Sequence, residues 1–403
     1  MTPPRSSTAS PRKNPTTGLW DFIVDLGPGV DATGAWRERR QARRRGFATK
    51  AEAQAVLDEL RSKARSGTFT HESKVSVTEY LRSWVANTLP STVRPATCFS
   101  YVENLERHVI PRIGEMQLRQ VTGPALNRLY GQLLAPGANL RSADRGLSPR
   151  TVAYVHTILH RALKDAVRHG LLQSNPVDVA DPPPNGGRPP GMKVWSAAEL
   201  GSFLQRSEAE GDRDHPLWRL LAATGMRRGE ALGLHWSDVD IEAGTITITR
   251  TLIVVNHEVQ FGQPKTSAGA RTIALDGRTV ASLRAHRARR SAERLALGQG
   301  QRPREETLFA ELEGRWMHPE ATSKRFDRRV KRYGLPHIGV HGLRHTWATL
   351  ALRAGVHPRV VQQRLGHSTI AVTLGVYSHV TDGLDLGAAQ QVAALFEPTA
   401  TNL

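Results

Sequence analysis

The chain is organised around HGLRHTWATLALRAGV (341–356), which is followed by QQRLGHSTIAVTLGVYSHV (362–380). Two basic side chains, His341 and Arg344, stand three positions apart at the start of this stretch. An arginine side chain is planar, always charged and able to donate two parallel hydrogen bonds to a phosphate. A basic pair of this kind is suited to binding an anion.

Two upstream motifs and two downstream residues extend the pattern. Arg227 lies in TGMRRGEAL, and Lys265 lies in PKTSAGART. His367 follows in LGH, and Tyr377 comes ten residues later in TLGVYSHV. In this order the five motifs resemble the catalytic half of the tyrosine recombinases, the phage integrase family. A single motif carries little information, whereas all five in order are specific.

The resemblance implies a role for each of these side chains. In that family a tyrosine attacks the DNA backbone and keeps the bond energy in a phosphotyrosyl ester, so no nucleotide cofactor is needed. Fixed cations stabilise the negative charge that gathers on the nonbridging oxygens. The implied catalytic set is Arg227, Lys265, His341, Arg344, His367 and Tyr377, with Glu230 and His345 in supporting positions.

The residues themselves narrow some of these assignments. Lys265 is the only lysine between Lys193 and Lys324, so no nearby lysine competes for the role of general acid. In the catalytic half the other tyrosine is Tyr333, which precedes HGLRH and so lies on the wrong side for the family order. Glu230 is expected to orient Arg227. The alternative for Glu230 is a helix-surface ion pair, which stabilises a helix by about 0.3–0.5 kcal/mol.

Length, charge and cysteine content limit the class of protein. A chain of 403 residues is long enough for two or three domains. The formal charge of +18 favours a polyanionic partner such as DNA. The polar start and the lack of a long apolar run predict a soluble, cytoplasmic protein without a membrane partner. The single Cys98 excludes an internal disulfide and is interpreted as a half-buried structural residue.

The N-terminal part is predicted to be a disordered tail (1–16) followed by a small α+β domain (17–70). GLWDFIVDLG alternates apolar and polar residues like a half-buried strand. A capping box from Thr49 to Glu52 predicts the start of a helix. The pattern resembles the arm-type DNA-binding domain, in which a three-stranded sheet enters the major groove. Its predicted DNA-binding residues are Arg37, Arg39, Arg40, Arg43, Arg44 and Arg45, with a solvated strand pair as the alternative.

Residues 75–177 are predicted to form an all-α, SAM-like unit that resembles the core-binding domain of the family. Its signals are a capping box that begins at Ser76, and Ser148 before a proline at the start of a long amphipathic helix. Proline and glycine then exclude regular structure from a linker at 178–192.

The catalytic domain (193–397) is predicted to be mainly α-helical with a small β-sheet. A third capping box, which begins at Ser196, starts it. One strand is predicted from Thr245 to Val255, and two short strands within 258–275. The chain from 277 to 390 is predicted to be helical except for loops at 298–306 and 333–340. The segment GAAQQVAALF (387–396) is predicted either to dock on a neighbouring subunit or to pack on its own domain.

Partners follow from the resemblance. It implies double-stranded DNA with core and arm attachment sites, a homotetramer on that DNA, an excisionase and a host DNA-bending protein. It implies no metal. The spacing of His341 and His345 at i, i+4 permits zinc, but no third ligand is indicated. Two other functions stay open: DNA relaxation by a type IB topoisomerase, and a DNA-binding protein without catalysis.

Overall fold

The computed structural model describes residues 10–30, 36–65, 75–139, 142, 144–183, 193–263, 269–298 and 306–371. The chain divides into two units, Met1–Pro189 and Pro190–Leu403. This division falls within the predicted linker at 178–192.

The first unit begins with an antiparallel three-stranded sheet, as predicted. Its strands are β1 (Arg12–Lys13), β2 (Trp20–Val30) and β3 (Trp36–Phe47), in the order β1-β2-β3. Helix α1 (Lys50–Arg65) covers one face of the sheet. The small core between helix and sheet contains Phe22, Val24, Ala42, Ala53 and Leu57.

Two details at this end of the chain differ from the prediction. Strand β1 lies inside the predicted tail (1–16), because Asn14 hydrogen bonds to Asp21 and folds Arg12 and Lys13 back onto β2. A strand of two residues leaves no periodic signal in the sequence. At α1, Glu52 accepts a hydrogen bond from the backbone N–H of Ala48, not from that of Thr49.

A helical bundle follows within the first unit. Its apolar core is continuous, and the long stripe on the last helix supplies much of it, including Val155, Ile158 and Leu159. The capping box of Ser76 and Glu79 is present as predicted. The helices are α2 (Val77–Asn87), α3 (Pro95–Asn104), a π-helical turn (Leu105–Val109), α4 (Ile110–Ile113), α5 (Gly123–Leu134) and α6 (Pro149–Arg168).

The bundle continues beyond its predicted boundary at 177. A short 3-10 turn, Pro176–Val179, follows α6, and Ala180 packs into the core. The backbone N–H of Asp181 then donates to the side chain of Asn127 at 2.9 Å. The predicted linker therefore begins too early, because Pro176 opens a short turn instead of ending the packed structure.

The second unit is mainly helical around an aromatic core that includes Trp195, Phe203, Trp218 and Phe326. Its first helix carries the predicted capping box of Ser196. The helices are α7 (Ala197–Ala209), α8 (His215–Thr224), α9 (Arg228–Leu232), α10 (Gly277–Ala296), α11 (Pro319–Arg332), α12 (Val340–Arg353) and α13 (Pro358–Leu365). The strands are β4 (Val239–Asp240), β5 (Thr245–Ile248), β6 (Thr251–Val255), β7 (Glu258–Gly262) and β8 (Arg271–Ala274).

The prediction of one strand from Thr245 to Val255 is wrong. Strand β5 pairs with β4 and β8, whereas β6 forms a separate hairpin with β7. The break lies at Thr249 and Arg250, where the Arg250 guanidinium pairs with Asp238 at 2.7 Å. Ile246, Ile248 and Leu252 stay in phase across the break, although Arg250 interrupts the apolar series, so the sequence pattern did not reveal it.

One further segment predicted as helical, residues 307–318, is not. Residues 307–318 form bridges, His235 with Thr307 and Ala310 with Trp316. Leu308 donates its N–H to Leu234 at 2.7 Å, which holds this segment in an extended form. Within TGMRRGEALGLHW, Thr224 ends α8 and α9 spans Arg228–Leu232. No helix in the described parts of the chain is long and apolar enough to cross a membrane.

Candidate active site

Arg344 lies on α12 and is buried, with 3% of its surface exposed. Its guanidinium donates to the carbonyl of Gly225 at 3.0 Å and to the carbonyl of Leu365 at 2.8 Å. A buried charge needs such partners, because removing it from water is costly. The two carbonyls fix the plane of the guanidinium before any ligand arrives.

Arg227 lies at the N-cap of α9, just outside the helix. Its Nη1 pairs with Glu230 at 2.7 Å, and its backbone N–H donates to the same carboxylate at 2.9 Å. Its Nη2 donates to the carbonyl of Gly366 at 3.2 Å. The side chain keeps 32% of its surface exposed, so a ligand can still reach the guanidinium. The predicted contact between Glu230 and Arg227 is therefore present.

Arg271 on β8 is part of the same cluster, although no role was predicted for it. Its Nη2 pairs with Glu230 at 2.9 Å, and its Nε donates to the carbonyl of Arg364 at 2.6 Å. Burial alone would raise the pKa of Glu230. The hydrogen bonds and charges of Arg271 and Arg227 outweigh burial and hold that pKa below its ordinary value. Glu230 is therefore a buried carboxylate anion shared by two guanidiniums.

The C-terminal end of α13 holds the arginine cluster together. The consecutive carbonyls of Arg364, Leu365 and Gly366 accept hydrogen bonds from Arg271, Arg344 and Arg227 respectively. The last carbonyls of a helix lack partners within the helix and carry partial negative charge. The end of α13 thus offsets the repulsion between three guanidiniums and aligns them.

Two glycines make this arrangement possible. Gly366 ends α13 with a φ of 67°, a left-handed conformation that glycine adopts without strain. Gly225 ends α8 with a φ of 65° and presents its carbonyl to Arg344. A Cβ at Gly225 would lie 2.8 Å from the side chain of Leu365 and 2.9 Å from Trp347. The close approach of α8 to α13 therefore requires a residue without a side chain.

His341 and His345 lie one turn apart on α12, with their rings edge to face at 4.7 Å. His341 borders a groove of about 460 Å³ together with Arg227, Arg228 and Ser323. Solvent reaches His341, yet partial desolvation, then the charges of His345 and Arg344, lower its pKa. Desolvation, then the charge of Arg344, also lowers the pKa of His345. Both rings are therefore biased towards the neutral form.

His367 follows Gly366 directly and is half-buried beside the arginine cluster. Burial, followed by the charges of Arg344 and Arg227, lowers its pKa to about 4. A neutral imidazole can still donate one hydrogen bond to a phosphate oxygen. His367 would then add a neutral donor beside the guanidiniums of Arg227 and Arg344.

Of the six predicted catalytic residues, the structure brings four into one site: Arg227, His341, Arg344 and His367. Lys265 and Tyr377 lie outside the described residues. Tyr333 lies elsewhere in the unit: it is buried, and its hydroxyl donates to Glu210 at 3.1 Å. Tyr333 therefore has a structural role and does not compete with Tyr377.

Metal binding finds no support in the described residues. No cluster of three or more His, Cys, Asp and Glu side chains there could hold an ion. His341 and His345 therefore have no third metal ligand beside them within the described part of the chain.

The three-stranded sheet β1-β2-β3, called the arm sheet below, carries arginines on both of its faces. Arg43 pairs with Ile23 across the sheet, and both side chains are exposed on the face away from α1. Arg45 is also exposed, whereas Arg44 pairs with the buried Phe22 and is half-buried. Arg37, Arg39 and Arg40 lie in β3, but their side chains are outside the described set. Arg43 and Arg45 are thus the described members of the run that solvent reaches most freely.

Comparisons with known sequences find one family match in each half of the chain. Residues 194–383 match the phage integrase family, and residues 10–64 match an arm DNA-binding domain. The chain is 25% identical to a XerC-like tyrosine recombinase of Caldanaerobacter subterraneus subsp. tengcongensis, over 86% of this chain and 90% of that protein. It is 26% identical to an integrase of Streptomyces ambofaciens, over 89% of this chain and 90% of that protein.

Solved structures share the fold. The Tn1549 transposon integrase bound to transposon right end DNA aligns with a TM-score of 0.62 at 24% identity, over 79% of this chain and 99% of that chain. A lambda integrase tetramer bound to a Holliday junction aligns with a TM-score of 0.53 at 15% identity, over 90% and 93%.

Proposed function

Because this chain belongs to the phage integrase family, we propose that it is a site-specific tyrosine recombinase that integrates and excises a mobile DNA element. One observation carries the proposal. Arg227 and Arg344 are far apart in sequence, yet both are fixed by adjacent carbonyls at the end of α13. They border the same site as His341 and His367, which suits a single phosphate group.

The chemistry follows from these groups. The oxygen of Tyr377 attacks the scissile phosphorus as its hydroxyl proton passes to solvent, so a P–O bond to tyrosine forms and the bond to the 5′ oxygen breaks. The products are a 3′-phosphotyrosyl ester and a DNA strand with a 5′ hydroxyl. Lys265 supplies the proton that the 5′ oxygen takes up. Attack by another strand's 5′ hydroxyl reverses the step, and the ester conserves the bond energy throughout.

The arginines and histidines stabilise the transition state. Negative charge on the nonbridging oxygens increases as the bond to tyrosine forms, and donors fixed in advance stabilise it without reorganisation. Arg227 and Arg344 supply the charge, and His341 and His367 supply neutral hydrogen bonds. Glu230 orients Arg227, and His345 supports His341. No metal or nucleotide takes part in this scheme.

The remaining parts of the chain position the DNA. The arm sheet binds arm sites through Arg43 and Arg45, and the helical bundle binds core DNA. Strand exchange through a Holliday junction requires four active sites, so the working form is a homotetramer. The lambda integrase tetramer on a Holliday junction supports this assembly. The chain acts in the cytoplasm, and an excisionase and a host DNA-bending protein set the direction of recombination.

The arm domain favours recombination over simple relaxation of DNA. A relaxing enzyme of type IB needs no reader of distant arm sites, whereas residues 10–64 match such a domain. A repressor without catalysis would not need the phosphate-binding cluster around α13.

The test uses DNA that flanks this gene in its source genome. Nicked duplexes tiled across that region are incubated with the full chain, and protein–DNA adducts that resist SDS are counted. We expect an adduct at one crossover site with the wild type and with Tyr333→Phe, but none with Tyr377→Phe. An adduct that persists in Tyr377→Phe rejects that nucleophile. Tight DNA binding without any adduct would instead support the non-catalytic alternative.

A further inference from the structure

Arg271 connects three parts of the site through one buried side chain, of which 8% is exposed. It lies at the start of β8, six positions after Lys265 in PKTSAGART. Its Nη1 and Nη2 reach the two oxygens of Glu230 at 3.3 and 2.9 Å, and its Nε reaches the carbonyl of Arg364 at 2.6 Å. Its Nη1 also donates to the carbonyl of Gly269 at 2.9 Å.

Each of these contacts acts on something that holds Arg227. Glu230 holds Arg227 from one side through Nη1, and Gly366 holds it from the other through Nη2. The forked contact of Arg271 fixes the plane of the Glu230 carboxylate. Its contact with Arg364 fixes the end of α13, two residues before Gly366. Arg271 therefore controls both anchors of Arg227 without touching Arg227 itself.

A lysine could not replace this geometry. Its single ammonium group can reach one oxygen of Glu230 or the carbonyl of Arg364, but it lacks the planar fork that reaches both. Removing Arg271 leaves Glu230 with one guanidinium instead of two and leaves the carbonyl of Arg364 without this donor. Glu230 would then be free to rotate and carry Arg227 with it.

Resting on the proposed function, we propose that Arg271 is a positioning residue for phosphoryl transfer. It holds Glu230 and the end of α13 so that Arg227 meets the nonbridging oxygens of the scissile phosphate. DNA affinity, which depends on many contacts to the backbone, is largely independent of it.

The test is a single-turnover cleavage assay with the full chain and the nicked duplex that gives the wild-type adduct. A misplacement of about 1 Å can slow catalysis by about 100-fold. We expect Arg271→Ala to slow cleavage at saturating DNA by about 10- to 100-fold, with the Kd for that duplex changed less than about threefold. Arg271→Lys should recover part of the rate. Arg284→Ala is the matched control, because Arg284 forms an exposed ion pair with Glu242 in the same unit.

A second substrate separates positioning from loss of folding. In a methylphosphonate duplex a methyl group replaces one nonbridging oxygen, so the scissile group is neutral and depends less on a placed cation. The deficit of Arg271→Ala should shrink on this substrate. A variant that is merely less folded would lose the same fraction of activity on both duplexes.

The double variant with Glu230→Gln gives an independent check. If Arg271 acts through Glu230, the double variant should be no slower than the slower single variant. The positioning role is overturned if the fold-reductions in rate of the two single variants multiply in the double variant. It is also overturned if Arg271→Ala cleaves at the wild-type rate. Neither result contradicts the proposed recombinase function. A wild-type chain that forms no adduct overturns the proposed function and this role together.

Discussion

Arginine serves two regions of this molecule in opposite ways. On the arm sheet, Arg43 and Arg45 are exposed side chains on β3. In the catalytic unit, Arg271 and Arg344 are almost fully buried, and each is held by at least two acceptors. The first arrangement leaves the side chain free to follow a DNA backbone, and the second fixes it in advance.

This difference separates affinity from rate. An exposed arginine gains by displacing counterions from DNA, so its contribution depends on salt and adds to that of its neighbours. A buried arginine is already desolvated in the folded protein. It stabilises the negative charge that increases in the transition state. The four predictions below test whether the exposed arginines of the arm sheet (the exposed class) act on affinity and the buried arginines of the catalytic unit (the catalytic class) act on rate. They begin with the largest expected effect.

The strongest test of the catalytic class is Arg344→Ala. The substitution removes the guanidinium that we propose donates to the scissile phosphate, and the loss of such a donor typically slows catalysis by about 100- to 1000-fold. DNA affinity at physiological salt should change by less than about tenfold, because many other phosphate contacts remain. Arg353→Ala is the control, since Arg353 lies exposed on the same helix. Equal losses of rate and affinity in Arg344→Ala would remove the distinction between the classes.

The geometry of the end of α13 is tested by Gly225→Ala. The new Cβ would meet Leu365 at 2.8 Å and displace the segment that holds all three guanidiniums. We expect cleavage to fall by about tenfold or more, together with a loss of about 1–3 kcal/mol in stability from the left-handed backbone. Gly298→Ala is a matched control, because Gly298 has the same φ of 65° with nothing within 4 Å of its Cβ. Similar cleavage rates in the two variants would show that the close approach is not needed.

The exposed class is tested by Arg43→Ala and Arg45→Ala on a duplex that carries an arm site. Each lost phosphate contact should reduce the slope of log K against log salt by about 0.9. Affinity for arm DNA should fall a few-fold, while the cleavage rate on a duplex with only the core site stays unchanged. Binding isotherms at several salt concentrations provide the slope. A wild-type slope in the double variant would place the DNA on another face of the sheet.

The smallest expected effect is the response of His367 to acid. Its folded-state pKa of about 4 lies below the ordinary value of about 6.5. Protonation therefore favours the unfolded chain, so stability is fully present above about pH 6.5 and is lost as the pH falls towards 4. Urea unfolding between pH 7 and 4.5 should show a shallower loss in His367→Gln than in the wild type. An identical pH dependence in the two proteins would mean that His367 is not held neutral by the cluster.

Local signals in the sequence predicted the parts of the fold that depend on neighbours along the chain. The capping boxes of Ser76 and Ser196 are both present, since each needs only a serine and a glutamate three residues apart. The break between β5 and β6 was missed, because Ile248 and Leu252 stay in phase on either side of Arg250 and only the partner strands change. Likewise, the pairing of Arg12 and Lys13 with β2 depends on the fold, not on local composition.

The part of the site that is defined by side-chain types and their order along the chain was predictable from the sequence. Arg227, His341, Arg344 and His367 were identified in that way, and they converge in the structure. Arg271 was missed, although it stands in the motif quoted for Lys265. Its partners are a carboxylate 41 positions away and a backbone carbonyl 93 positions away. Every residue has a backbone carbonyl, so contacts to backbone carbonyls such as that of Arg364 have no signature in the sequence.

The most direct test of the central claim is to identify the amino acid that carries the DNA. The adduct formed with the nicked duplex is digested with nuclease and protease, and the modified peptide is sequenced by mass spectrometry. The account predicts a single site, Tyr377, joined through phosphate to the 3′ side of the cleaved strand. A nucleotide on any other residue, or attached through its 5′ phosphate, would contradict the account.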